Sequence, residues 1–366
     1  MGDVVSLPRS GTGCARAAVP ALIDLFARRR RGRHDPFWLK ENAELLQILA
    51  ALGATDLVDL DPLRPRAGSL MQELRFFPQY YRMYLSIALD LRALGLSEVP
   101  VEEMADFILA QDLPAGELSD LHRGEVQLLL LRAGAGWAPD GALAARLERF
   151  ATQPAGFCLP NRRAAYDLTH IVFHAADYGR RPLARDAARR RNLIHVGLVA
   201  WLEGNLDLLA EVTLALRLSG ETVPALWDAA VARAADDMVF EAGRDAGPFD
   251  DDYHQYLVLN WALGAATGAA FRGGGPGQAR LIRSRARPAS ALHELSLALL
   301  DMGEARRPDW AQMRWRLWPA LSQAARARLE AVETLPEFGG FFAGFARAGQ
   351  RDASPQIATT DRGARA

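Results

Sequence analysis

Apolar residues recur at three- and four-residue spacing along almost the whole chain, and the period-two alternation of a half-buried strand is rare. That pattern predicts an all-α fold. Aligning the apolar stretches that end at certain prolines gives residues 48–61 before Pro62, 88–99 before Pro100, 127–138 before Pro139, 170–181 before Pro182, 212–223 before Pro224 and 296–307 before Pro308. The prolines step by 38, 39, 43, 42 and 84 residues, the last being two steps of 42 with a degenerate copy at 256–276 between them. Each stretch stops near a glycine (Gly53, Gly95, Gly134, Gly179, Gly220, Gly303). Glycine just past a helix end takes the left-handed conformation at little cost, and proline fits the first turn of the next helix.

The segments after the prolines (101–111, 140–153, 225–237, 309–323) carry more charge on one face. A unit of about forty residues therefore reads as an apolar A helix, a turn and an amphipathic B helix, repeated six or seven times. Repeats of this kind either close into an α/α toroid, with the apolar helices inside, or stack as an open α-solenoid. The contrast between A and B helices favours closure.

One helical-repeat domain is expected over residues 16–350, with residues 1–15 and 351–366 disordered and 272–290 a flexible arginine-rich loop. The aromatic and glycine-rich segment 338–349 reads as a terminal helix packed on the last repeat.

Composition narrows the partners. The 366 residues carry a formal net charge of −1, so no global field draws nucleic acid or an anionic membrane. Cys14 and Cys158 are too few for a disulfide framework or a cysteine-rich zinc site. Lys40 is the only lysine among 43 basic residues, a usage that points to a GC-rich bacterial coding sequence. In such a chain the Met1-Gly2 start does not read as a myristoylation signal. The longest uncharged run, 253–271, contains His254, Gln255 and Asn260 and falls short of the ~20 residues of a membrane helix. No secretory signal is apparent, and the expected location is the cytoplasm. The arginines at 28–31 read as an exposed helix end.

Candidate chemistry gathers in residues 166–179, an A-helix position where other copies carry leucine, alanine and valine. His170 and His174 are four apart and share a face, Asp177 continues it, and Asp167 precedes His170 by three residues. The spacing suits two imidazoles on one metal, although Ile171 stands where a metalloprotease would carry its glutamate. A packed, hydrogen-bonded histidine pair is the structural alternative. Asp250, Asp251, Asp252 and His254 open the degenerate copy, where the aspartates read as helix caps before ligands.

Tyr166-Asp167-Leu168-Thr169-His170, then Phe173 and Asp177-Tyr178-Gly179, resembles a segment recurring in uncharacterised bacterial helical proteins classed as domains of unknown function. The start of the chain, Met1 to Pro8, fits the same resemblance. It implies no activity and no cofactor.

The expected function is binding of a small molecule or peptide in the central cavity of a toroid, open to catalysis. Tyr166, Asp167, His170, His174, Asp177 and His254 would line the cavity. His170 would be the general base or a metal ligand, oriented by Asp167 or Asp177, with His174 the second ligand of any metal. The alternative is a non-catalytic scaffold binding a protein partner on an open concave face. No Walker loop, dinucleotide fingerprint or nucleophile elbow is present.

Overall fold

The structure, a computed structural model, describes residues 18–32, 35–136, 140–154, 157–242, 251–272, 275–286 and 288–348. The expectations for residues 1–15 and 351–366, for Cys14 and for Asp250, lie outside these.

The described chain is mostly helical. It opens with α1 (Ala18–Asp24), which runs on through a π-helical turn at Leu25–Arg29. α2 (Pro36–Ala51) starts on Asp35, whose side chain accepts from the Phe37 amide while Pro36 occupies the first turn. There follow α3 (Arg64–Ala67), α4 (Leu70–Phe76), α5 (Tyr81–Ala93), α6 (Val101–Ala110), α7 (Asp120–Arg132), α8 (Gly141–Thr152), α9 (Arg162–Ala175), α10 (Ala187–Glu203), α11 (Leu206–Leu218) and α12 (Ala225–Asp236). After strand β1 (Met238–Glu241) come α13 (Tyr253–Thr267), strand β2 (Leu281–Ser284), α14 (Ala291–Asp301), α15 (Trp310–Leu317), α16 (Gln323–Glu330) and α17 (Phe338–Ala346).

Two kinds of helix follow from two kinds of sequence. α11 buries every residue from Leu208 to Leu216, which requires neighbours on all sides. α12 buries only a stripe, Trp227, Ala230, Val231 and Ala234, and turns its charges outward. The six all-round apolar or polar-lined helices pack in sequence: α2 on α5, α5 on α7, α7 on α9, α9 on α11 and α11 on α13. α13 packs in turn on α2. Gly264 makes that last approach possible, because a Cβ there would come within 2.7 Å of Leu52 Cδ2. The last apolar segment departs from the others. α14 packs on α10, α15 and α16, since α2 already occupies the far flank of α13.

Two expectations need correction. Residues 272–290 include β2, which pairs antiparallel with β1 (Val239 opposite Arg283, Phe240 opposite Ile282) and buries Ile282 completely, so this stretch is in part ordered sheet. The arginines at 28–31 are not all exposed either. Arg30, 1% exposed, bonds Glu41 at 2.8 Å and Asp251 at 2.7 Å, and lies over the rings of Phe26 and Tyr253. Buried carboxylates far away in sequence draw the guanidinium inward and tie α1, α2 and the start of α13 together.

Among the described residues, no helix is long and apolar enough to cross a membrane.

Candidate functional site

Four of the sequentially packed helices, α2, α5, α7 and α9, enclose a cavity of about 390 Å³. Its polar lining includes Lys40 and Glu44 from α2, Arg82 from α5, His122 and Glu125 from α7, and Tyr166, Asp167, His170 and His174 from α9. Arg82 is held by Glu117 at 3.0 Å and by Glu125. Lys40 stands 3.8 Å from Glu44 on the same helix.

Behind Tyr166 and His170 lies a polar cluster built from α9, α11 and α13. The Tyr166 hydroxyl donates to Asp207 Oδ2 at 2.7 Å. His254 Nδ1 meets Asp207 Oδ1, also at 2.7 Å. Thr169 Oγ1 lies 2.5 Å from Glu211 Oε2 and 2.9 Å from the Tyr166 carbonyl. One hydroxyl has one proton, so both contacts are satisfied together when Glu211 is itself protonated and donates to Thr169. Burial raises the Glu211 carboxyl above its ordinary range, in keeping with that arrangement. Asp207 goes the other way: burial opposes its charge, but His254 and Tyr166 outweigh burial and hold it low. Burial alone would lower His254, yet Asp207, Glu44 and Glu211 raise it to about 10, so it is an imidazolium at neutral pH.

His170 is oriented differently from expectation. Its Nδ1 lies 2.8 Å from the Tyr166 carbonyl one turn back, which makes Nδ1 the donor and leaves Nε2 a free lone pair. Asp167 does not touch it and instead stands 3.8 Å from Arg163. Asp177 does not line the cavity; it pairs with Arg180 at 3.4 Å, beside the buried ion pair of Arg132 with Asp90. The chain turns sharply there, with Asp177 and Tyr178 both at positive φ (44° and 52°), a conformation costing about 1 kcal/mol per residue. The turn delivers the Tyr178 ring onto His174 and Trp261.

His174 lines the cavity next to His170, their ring centroids 6.2 Å apart. Burial, then His170, Arg82 and His122, push it down to about 3, and its Nδ1 has no hydrogen-bond partner. It is a neutral wall residue. The three groups whose donor atoms converge within 4.8 Å are instead Asp207, Glu211 and His254. The sequence pairing of His170 with His174 as metal ligands is therefore not the convergence that the fold produces, because His174 turns towards Tyr178 and α5. Asp207 and Glu211 escaped the sequence reading, although two acids four apart in an otherwise apolar helix were a visible signal.

The aspartates before α13 act as backbone acceptors. Asp251 takes the amides of Tyr253 (3.0 Å) and Ile282 (3.3 Å), and Asp252 takes that of Ser284 at 2.8 Å. His293 is exposed on α14, away from the cavity.

A thiol–imidazole pair lies elsewhere. Cys158 Sγ sits 3.2 Å from Nδ1 of His195 on α10, near Phe341 of α17. Burial pushes the thiol up to about 11, and burial with Arg191 pushes the imidazole down to about 4. Both partners are neutral, and the S–H donates to the ring nitrogen.

The family described as a domain of unknown function (DUF6902) matches residues 1–348, and the chain belongs to it. No curated protein and no solved structure matches the chain.

Proposed function

We propose that the protein is an α/α toroid of helical repeats whose central cavity binds a small polar molecule or a short peptide. The observation that carries this reading is the order of helix contacts, in which α13 returns to α2. Six apolar helices that meet in that order form the inner wall of a ring, and an open solenoid would leave α2 and α13 apart. The alternating amphipathic helices then form its outer layer.

The cavity chemistry supports a ligand with both polar and charged parts. The Lys40–Glu44 and Arg82–Glu125 pairs and Asp167 line a cavity of about 390 Å³, a volume within the range of small-molecule sites. His170 bonds the Tyr166 carbonyl through Nδ1, which leaves Nε2 for a ligand, and its side chain is 38% exposed. That nitrogen can take a proton from a bound ligand, and the Glu211–Asp207–His254 cluster behind it can hold charge.

The test is a ligand screen by thermal shift and NMR on tag-free protein and on His170→Ala. Ligands of the cavity raise the melting temperature of the wild type and lose their effect in the variant, whose own melting temperature stays close to wild type. A variant that loses much stability yet binds the same compounds would sink the proposal.

A further inference from the structure

The six-helix wall contains a group of donors that the cavity reading does not require. Asp207 and Glu211 lie one turn apart on α11, and His254 reaches them from α13. These are a nitrogen and two carboxylates from two helices that pack along their length. Rigid elements of that kind hold ligands better than loops do.

We infer that Asp207, Glu211 and His254 form a binding site for one divalent transition-metal cation, with water completing its coordination.

Four features carry the inference. Glu211 is 1% exposed, and while its Oε2 meets Thr169, its Oε1 has only His254 Nε2 at 3.9 Å, too far for a hydrogen bond. The two atoms face one another at a separation that an ion bonded to both could bridge. Secondly, both carboxylates have an outer partner: Tyr166 on Asp207 Oδ2 and Thr169 on Glu211 Oε2. Such partners orient ligands and hold the remaining carboxylate oxygen towards the ion. Thirdly, His170 Nδ1 lies 3.8 Å from Glu211 Oε2, so the His170 ring stands directly beside the cluster and between it and the cavity it lines.

Fourthly, the spacing is close to what an ion demands. The convergent atoms lie within 4.8 Å of one another, and donors around a tetrahedral zinc at about 2.1 Å stand about 3.4 Å apart. His254 must give up its ring proton and its 2.7 Å contact with Asp207, and Glu211 its carboxyl proton, so entry of the ion releases protons to solvent while the three groups close by roughly 1 Å. Mixed imidazole and carboxylate donors suit zinc, manganese, iron or cobalt, whereas calcium and magnesium favour all-oxygen shells. An ion held there sits directly behind Tyr166 and His170, and so next to the cavity. That position rests on the cavity reading only for what the ion would act on.

The experiment is isothermal titration of metal-stripped, tag-free, full-length protein with Zn²⁺, with Co²⁺ absorption as a second probe. One equivalent of Zn²⁺ is expected. Binding should weaken about 100-fold in Glu211→Gln and about 10-fold in Thr169→Val, which touches the ligand from outside. The visible Co²⁺ bands should shift in His254→Gln, a readout that a merely structural residue would leave alone. Absence of binding at millimolar Zn²⁺ overturns the inference, as does unchanged affinity in Glu211→Gln. Should Glu211→Gln fail to fold, Thr169→Val and the wild-type Co²⁺ spectrum decide. The two readings fail separately. Zinc binding with no cavity ligand in the screen leaves the metal site standing, and a cavity ligand without zinc binding removes the metal site alone.

Discussion

Two histidines in this protein each make one close side-chain contact and end in opposite states. His254 meets Asp207 at 2.7 Å and is raised to about 10. His195 meets Cys158 at 3.2 Å and is lowered to about 4. Burial acts in the same direction on both. The difference lies in what surrounds the ring: Asp207, Glu44 and Glu211 for one; a neutral thiol, the Phe341 ring, Arg191 and a single carboxylate, Glu337, too weak to offset burial, for the other. Distance to a polar partner therefore does not identify a chemically active imidazole here; the charge of the neighbours does.

Removing each ring is the strongest way to break this comparison. His254→Leu leaves the ionised Asp207 without its cation, and should cost about 2–3 kcal/mol at neutral pH. That is less than a fully buried pair would lose, because the His254 side chain is 32% exposed. His195→Leu removes one neutral hydrogen bond in apolar surroundings and should cost about 1 kcal/mol. Urea unfolding of both variants checks this. Equal losses would mean that the His254 cluster contributes no more than a neutral contact.

The pH dependence separates the regions by sign. The folded value of His254 lies above its ordinary 6.5, so its contribution is complete below about 6.5 and is lost as pH rises through about 10. His195 and His174 lie below 6.5 when folded, at about 4 and about 3, so their contribution is present above 6.5 and is lost as pH falls. Melting temperature measured across pH should decline at both ends. His254→Gln should flatten the alkaline limb, worth on the order of 2 kcal/mol after allowing for exposure, and leave the acid limb intact. His195→Gln should reduce the acid limb only in part, because His174 remains. A variant that alters the wrong limb would reverse the assignment of charge.

Much of the helical framework was legible because it depends on local rules. The apolar stretches and proline spacing located α2, α5, α7, α9, α11 and α13, and glycines such as Gly53 and Gly220 marked their ends. The approach of α13 to α2 was not legible, since it joins segments more than two hundred residues apart through Gly264 and Leu52. The strands escaped notice because Met238–Glu241 and Leu281–Ser284 are only four residues each, too short to establish a period of two. In the site, Tyr166, His170 and His174 were found from their departure from the repeat. Asp207 and Glu211 were missed because the aligned stretch begins at Val212, one residue beyond Glu211. The partner of His170 could not be guessed from charge, because it is a backbone carbonyl rather than Asp167.

Thr169→Val sharpens the comparison from the carboxylate side. Thr169 is fully buried and its hydroxyl is the one group bonded to Glu211 Oε2. The substitution keeps the shape and removes the hydroxyl, so about 1 kcal/mol of stability should go. The same change should reduce the alkaline limb, because a less well held Glu211 alters the field at His254. A variant with wild-type stability and an unchanged pH profile would detach Thr169 from the cluster.

The smallest effect belongs to Cys158, and it tests the neutral half of the comparison. Cys158→Ser keeps a donor for His195 Nδ1, so stability should change by less than about 1 kcal/mol. The thiol should also be slow. With its value pushed from 9.0 to about 11, the thiolate fraction at neutral pH falls about a hundredfold, and alkylation should slow by a similar factor relative to free cysteine. Iodoacetamide labelling on a Cys14→Ser background measures this, and His195→Leu should leave the rate nearly as it was. Rapid reaction that persists below neutral pH and collapses in His195→Leu would instead require a thiolate beside an imidazolium. His195 would then be charged like His254, and neighbouring charge would no longer explain why the two rings differ.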